Sequence, residues 1–320
     1  NLFMKNIYLN IYKPNKTNLY RAKKNINSNN IIGIPTETVY GLAGNAYSNQ
    51  SVKKIFTLKK RPAYNPLIIH YRNIKNLEKD AILNSSFIKL YKAFCPGPIT
   101  FILKKNPGSK ISYRATAKKN TIAVRFPKHI VARQLLGLLK VPLAAPSANI
   151  SSRLSPTSSY DVVDEFKNKI KFILDGGRSR IGLESTIVDL TKNPKILRPG
   201  FITEEKISNI LKRKIKIIKK AKKIKSPGQL KSHYSPGIPV KINAIGFGKN
   251  EAIIGFGKNF SNKKNHFNLS KNGNLNEAAN NLYKTLRKIK NSGFKSISVN
   301  KFPNIGIGKA INDRLKRASN

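Results

Sequence analysis

Residues 31–46, IIGIPTETVYGLAGNA, followed by residues 58–70, LKKRPAYNPLIIH, decide how this chain is read. The apolar run 31–34 is ended by Pro35, the pattern of a buried strand that delivers Pro35-Thr36-Glu37-Thr38 to its tip. Residues two apart in extended chain point the same way, which puts Thr36 and Thr38 on one side and Glu37 on the other. Gly41 and Gly44 offer backbone freedom for a turn into the next element. Apolar residues at Val52, Ile55, Phe56 and Leu58 then predict a helix over 50–60. Pro62 pushes its predecessor out of the helical region, ending the helix near Lys60 and letting Lys59 and Arg61 converge on one anion. A guanidinium fork beside an ammonium point charge suits a polyphosphate. The same pair also fits the solvated end of a lysine-rich helix.

Outward from this stretch, strands are expected at 67–71, 99–103, 121–126, 143–145, 172–174, 186–190 and 195–197. Helices are expected at 85–94, 130–139, 160–170 and 204–211. The elements interleave without strict βαβ order, so the fold class is α/β with a mixed twisted sheet. From Lys212 the chain turns charged and then rich in Ser, Pro and Gly, SPGQLKSHYSPGIP, the composition of a linker. Strand-like runs return at Val240, followed by an amphipathic helix with Leu275, Ala278, Ala279, Leu282, Leu286 and Ile289 on one side. A strand at 296–300 and a helix at 309–318 complete a second, smaller α/β domain. GFGKN occurs at Gly246 and Gly255, but neither copy has the glycine or hydroxyl spacing of a phosphate-binding loop, and GIGKAI at Gly306 lacks the third glycine of a dinucleotide fingerprint.

A chain of 320 residues can bury a sizeable core. Its net charge of +48 would ordinarily suggest a nucleic-acid partner, but it comes mainly from lysine spread along the chain and not gathered into one basic stripe, so it is discounted and leaves room only for weak, salt-sensitive contact with tRNA or other RNA. One cysteine excludes an intramolecular disulfide, and Cys95 with four scattered histidines gives no zinc spacing. No run is long enough to span a bilayer, and the first 30 residues lack an apolar signal core, so a cytoplasmic protein without membrane contact is expected.

PTETVYGL, the KxR of Lys59 and Arg61 running into RPAYNPLIIH, CPGPIT from Cys95, AVRFP from Ala123, APSAN from Ala145 and the DGG…GLEST…LRPG series from Asp175 to Gly200 together resemble the threonylcarbamoyl-AMP synthase family. The resemblance covers about residues 5–213, and the remainder is similar to the small C-terminal domain of the family's two-domain version. It implies a YrdC-type catalytic domain at 1–213, a linker or lid at 214–239 and a C-terminal α/β domain at 240–320. The implied reaction joins ATP, L-threonine and bicarbonate into L-threonylcarbamoyl-AMP with release of pyrophosphate. The product would pass to a downstream tRNA threonylcarbamoyl-transferase.

The resemblance also implies site residues. Lys59, Arg61, Ser147 and Asn149 form the catalytic set. Thr38, His70, Arg125, Ala145 and Ser185 line the threonine pocket, with Arg125 the partner of the amino-acid carboxylate. Arg61, Asn65, Thr121, Ser147, Ser155, Arg198 and Tyr234 bind ATP. His70, at the end of an apolar strand, also fits a satisfied core histidine. Ser147 and Asn149 follow Pro146, so extended backbone would turn them to one side. Arg198 precedes Pro-Gly, which predicts a loop tip. Glu37, Asp175 and Glu184 are the carboxylates near the motifs and make no metal pair, so Mg2+ is expected to arrive on the ATP phosphates. Cys95 stands where the family usually carries Trp and reads as a packing residue, and Ser152 stands where Gly is usual. Two other readings fit the chain: a non-catalytic RNA-binding protein of the same fold, and a paralogue that adenylates a different carbamate.

Overall fold

The apolar runs, most of them too short for helices, assemble into one twelve-stranded mixed sheet. A computed structural model describes residues 8–218, 233–242, 248, 250–260 and 263–320. The first half runs β1 (Ile11–Tyr12), α1 (Lys16–Asn27), β2 (Ile32–Ile34), β3 (Gly41–Asn45), α2 (Asn49–Lys59), β4 (Ile68–His70), α3 (Ile74–Leu77), β5 (Ala81–Ile82), α4 (Ser85–Phe94) and β6 (Ile99–Lys105). It continues through β7 (Thr121–Arg125), α5 (Ile130–Leu138), β8 (Leu143–Ala144), α6 (Ser159–Phe166), β9 (Ile173–Leu174), β10 (Thr186–Asp189), β11 (Lys195–Arg198), α7 (Glu204–Leu211) and β12 (Lys216–Ile217). Strand order is β1-β9-β2-β3-β8-β4-β7-β6-β10-β11-β12, with β5 paired to β6. Phe87, Phe101, Val124 and Phe126 pack in its largest core. Each such fully buried apolar side chain contributes about 1.5–3 kcal/mol.

Residues 41–45 depart from expectation. They form an antiparallel strand against β2, with Gly33 opposite Leu42, and do not turn away. Gly44 is required by contact: a Cβ there would lie 2.3 Å from Ser51 Oγ and 3.2 Å from Ile55 Cδ1. The glycine thus lets β3 lie directly on α2. The helix itself ends as Pro62 predicts. Lys60 adopts φ 49°, and the Lys60 and Arg61 amides donate back to Thr57 O and Phe56 O, the double bond of a Schellman cap.

A second sheet carries β13 (Val240–Ile242), β14 (Glu251–Gly255), β15 (His266–Asn268) and β16 (Ser296–Val299), all parallel, in the order β13-β16-β14-β15. Helices α8 (Leu275–Asn291) and α9 (Gly308–Ala318) bury an apolar stripe of Ala278, Leu282, Leu286, Ile311 and Leu315. That core also takes in Val39, Leu154 and Leu183 from the larger unit. Within the stretch read as linker, β12 joins the large sheet beside β11, and residues 219–232 lie outside the described residues.

The second GFGKN ends β14, where Gly255 leaves room for the Phe260 ring, whose nearest atom lies 2.1 Å from the position a Cβ would take. The first falls largely outside the described residues. Among the described residues no helix is long and apolar enough to cross a membrane.

Candidate active site

Parallel strands β4 and β7 end side by side, with His70 opposite Arg125, and both side chains face a narrow cavity. Ala145, whose amide donates to Ile68 O, follows β8 into the same wall. Ser147 bridges to Gly41 across the cavity's edge. Arg61, Arg198, Glu184, His233 and Tyr234 close the other side. The carboxyl ends of parallel strands are where α/β sheets present ligand sites.

The Thr36-Glu37-Thr38 tip folds as the alternation suggests for its threonines: Thr36 Oγ1 and Thr38 Oγ1 lie 2.9 Å apart. Glu37 is buried and accepts from Arg125 Nη2 at 2.7 Å and from the Lys128 and His129 amides at the start of α5. Burial pushes the Glu37 carboxyl up, but Arg125 and these amides outweigh it and hold it below the usual carboxylate range. Arg125 therefore already has one carboxylate partner, while its Nε finds none among the described residues. The same is true of His70 Nδ1. Burial, followed by the Arg125 charge, lowers His70 to about 3, so the imidazole is neutral. A buried neutral ring at the cavity wall with an open nitrogen is unlike a satisfied core histidine.

The expected convergence of Lys59 and Arg61 on one anion is not what the fold builds. Lys59 is buried and donates from Nζ to Ser147 O at 2.5 Å and to Asn149 O, and its own carbonyl accepts from the Ser151 amide. It is not a solvated helix end, and its Nζ is committed to these carbonyls. The reason is phase: Val52, Ile55 and Lys59 are spaced i, i+3, i+7 on the buried face of α2. Arg61 does line the cavity, with its Nε and Nη2 held by Asn65 O, Asn65 Oδ1 and Pro66 O. Asn65 thus orients Arg61.

Ser147 and Asn149 do not point to one side. The Asn149 amide donates to Ser147 O across a tight turn, and Asn149 Nδ2 donates forward to Ile150 O and Arg153 O, so of the two only Ser147 lines the cavity. Extended backbone gives way because the carbonyls of this loop must face the Lys59 ammonium. Arg198 is not at an exposed tip: it ends β11, buried, and donates to Ser185 O and Ser185 Oγ. Ser185 Oγ also meets Thr100 Oγ1 at 2.7 Å. Thr38, Ser155 and Ser185 are all buried just behind the wall. Thr121 stands apart, at the opposite end of β7 from Arg125, in a surface hollow with Lys104, Lys105 and Asn120.

Tyr40, His233, Tyr283 and Arg314 contribute here without having been singled out in the sequence, whereas Tyr234 was expected at the nucleotide and Glu184 only as a nearby carboxylate. Tyr40 OH donates to Gly177 O and accepts from the Gly176 amide, tying the VYGL segment to the DGG loop. Glu184 accepts from Ser155 Oγ at 2.5 Å, from Tyr283 OH and from Arg314 Nε at 2.7 Å. His233 and Tyr234 are buried in the cavity wall, and neither His233 Nδ1 nor Tyr234 OH has a partner among the described residues. Arg314 was legible in principle, because Ala310, Ile311, Arg314, Leu315 and Ala318 share one buried helix face. Cys95 is mostly buried, and burial pushes its thiol up to about 12, which fits packing and not nucleophilic chemistry.

The cavity thus gathers three guanidiniums, two neutral imidazoles and buried polar atoms without partners among the described residues, an arrangement that anionic and amine groups would satisfy. Burial, then the Arg198 charge, lowers Arg61 from the ordinary arginine range, a clustering that a polyphosphate would relieve. Glu184 in the wall and Glu37 behind it are committed to internal donors, and among the described residues no group of three or more His, Cys, Asp or Glu is placed to hold a metal ion.

Residues 24–200 match the family model described as telomere recombination, and residues 202–320 match that of the threonylcarbamoyl-AMP synthase C-terminal domain. The chain is 37% identical over 319 residues to threonylcarbamoyl-AMP synthase of Pyrococcus abyssi, covering 92% of each. It is 34% identical over 329 residues to that of Bacillus subtilis, covering 95% of this chain and 94% of the relative. The crystal structure of P. abyssi Sua5 complexed with L-threonine superposes with a TM-score of 0.87 at 34% identity, covering 97% of both chains. The chain belongs to the threonylcarbamoyl-AMP synthase family, in its two-domain form.

Proposed function

We infer that this protein is a nucleotidyltransferase that makes L-threonylcarbamoyl-AMP from L-threonine, bicarbonate and ATP and releases pyrophosphate, for threonylcarbamoyl modification of tRNA. The observation that carries the reading is the cavity at the ends of β4 and β7, where Arg125 Nε and His70 Nδ1 are buried and open at one side and Arg61 and Arg198 gather at the other. It occurs in a chain whose relatives carry that activity in their names.

The threonine amine captures bicarbonate as a carbamate with loss of water. A carbamate oxygen then attacks the α-phosphorus, and pyrophosphate leaves. Such a step asks mainly for alignment and charge neutralisation. Arg125 offers Nε to the threonine carboxylate while Glu37 fixes its other edge. Neutral His70 presents a ring nitrogen to the amine or hydroxyl. Arg61, held by Asn65, and Arg198, held by Ser185, face the phosphates, and Ser147 adds a hydroxyl. Lys59 acts one layer back by holding the Ser147 and Asn149 carbonyls. A magnesium ion would ride on the triphosphate. His233 and Tyr234, in the stretch read as linker, close one side of the cavity and would keep water from the mixed anhydride. Thr121 has no part in the cavity. The product would go to a tRNA threonylcarbamoyl-transferase, and the +48 charge supports weak contact with tRNA.

The test is pyrophosphate release by the purified protein with ATP and Mg2+. Release is expected only when both L-threonine and bicarbonate are present. Equal release with alanine in place of threonine, or without bicarbonate, overturns the reading.

A further inference from the structure

Tyr234, in the cavity wall, is held from behind by the smaller unit. Its ring stacks on Tyr283 of α8, with centroids 5.9 Å apart and planes 25° from parallel. The Arg314 guanidinium of α9 lies 5.1 Å from the Tyr234 centroid. Its neighbour His233 donates from the backbone to Arg317 O. Tyr234 itself adopts φ 65°, a left-handed conformation that a non-glycine residue keeps only when its surroundings impose it.

Arg314 and Tyr283 also hold the fixed part of the wall. Arg314 donates from Nε to Glu184 at 2.7 Å and from Nη2 to Pro199 O at 3.1 Å, next to Ser185 and Arg198. Tyr283 OH lies 3.1 Å from each Glu184 oxygen. The Arg314 side chain is fully buried. Resting on the function inferred above, we propose that Arg314 and Tyr283 are positioning residues for the adenylation site, fixing the Tyr234 ring and the Glu184–Arg198 wall in one register. The C-terminal unit would then supply the back half of the active site without touching substrate. A buried ion pair is a weak source of net stability but a strong source of unique geometry when each remaining donor is also satisfied, as the Asp313 and Pro199 contacts achieve here.

The chain contains no tryptophan, so Tyr234→Trp creates a single fluorescent reporter in the wall. In that background the full chain should emit as a buried indole, and Arg314→Met should shift the emission toward that of a solvated one. Lys309→Ala, which removes the exposed ion pairs from α9 to Glu204 and Glu205, should leave it buried. With Tyr234 native, Arg314→Met and Tyr283→Leu should lower kcat on the order of 10- to 100-fold at saturating substrates. Arg314→Lys, which keeps the charge but not the fork, and Tyr283→Phe, which keeps the ring, should each recover part of the rate. These conservative variants also serve if Arg314→Met does not fold. Indole emission unmoved by Arg314→Met and Arg314→Lys, or a wild-type kcat in Arg314→Lys and Tyr283→Leu, would overturn the proposal. The emission reports on the wall whatever product the parent protein makes, so a failure of the functional reading leaves this test intact.

Discussion

Glu37 and Arg125 form a buried pair, Oε1 to Nη2 at 2.7 Å, in which the carboxylate is also fixed by two backbone amides while the guanidinium Nε has no partner among the described residues. The pair is lopsided: the acid is saturated and the base is not. Glu37→Gln should therefore cost about 3–5 kcal/mol of stability by stranding a buried cation. L-threonine, which brings its own carboxylate, should recover part of that loss, so its stabilising effect on the melting temperature should be larger in the variant than in the parent. An equal effect in both would argue against a threonine carboxylate at Arg125.

Lys59 and Arg61 should fail in different ways. Lys59→Met leaves the buried Asn149 carbonyl without a donor, at about 1–3 kcal/mol, and leaves Ser147 O with the Asn149 amide alone, so it should show first as a lower melting temperature. Arg61→Ala loses a charge-assisted phosphate contact, and its ATP affinity should drop about 10- to 100-fold. Calorimetric ATP titrations beside thermal melts separate the two; matching profiles would contradict the separation of roles.

Stability should fall on acidification in two stages. Burial holds His70 and His233 neutral in the folded state, each near 3 against the ordinary 6.5. The unfolded chain then binds more protons below pH 6.5, so stability is full above that value and is lost as pH falls toward 3. Burial raises Glu184, but Arg314 and Arg198 outweigh it and bring it to about 2, so its contribution is lost between about 4.5 and 2. Chemical denaturation at pH 7.5, 6, 5 and 4 should show a slope that flattens in His70→Gln. An unchanged slope would mean that the ring is not held neutral.

Ser152 occupies the left-handed region at φ 71°, and its carbonyl accepts from the Ser235 amide beneath Tyr234. Ser152→Gly should relieve backbone strain of about 1 kcal/mol. The melting temperature should rise by a few degrees, on the order given by that energy for a chain of this size. A fall would mean that the serine side chain outweighs the strain.

Most strands and helices were legible because their apolar periods are clean: α4 and α7 run over the expected residues, and β6 and β7 begin at them. Where the reading failed, a tertiary demand overrode a local rule. Gly44 looked like a turn residue, yet it is needed for contact with Ser51 and Ile55, which no local rule reveals. Lys59 was read by its charge, although its spacing from Val52 and Ile55 marked it as buried. Thr121 was carried into the nucleotide set by resemblance, while the direction of β7 takes it away from the cavity. The grip of Arg314 on Glu184 spans 130 residues and was beyond any local pattern.

Val39, Leu154 and Leu183 lie in an apolar core completed by Leu282, Tyr283 and Leu286. The boundary between the units therefore runs through a greasy seam, and the larger unit is not finished along that side. Cutting the chain after residue 213 would bare this seam to water, so a truncated protein would tend to self-associate before its catalytic competence could be judged. A relative that functions with one domain would be expected to carry polar residues at these three positions, where nothing covers them.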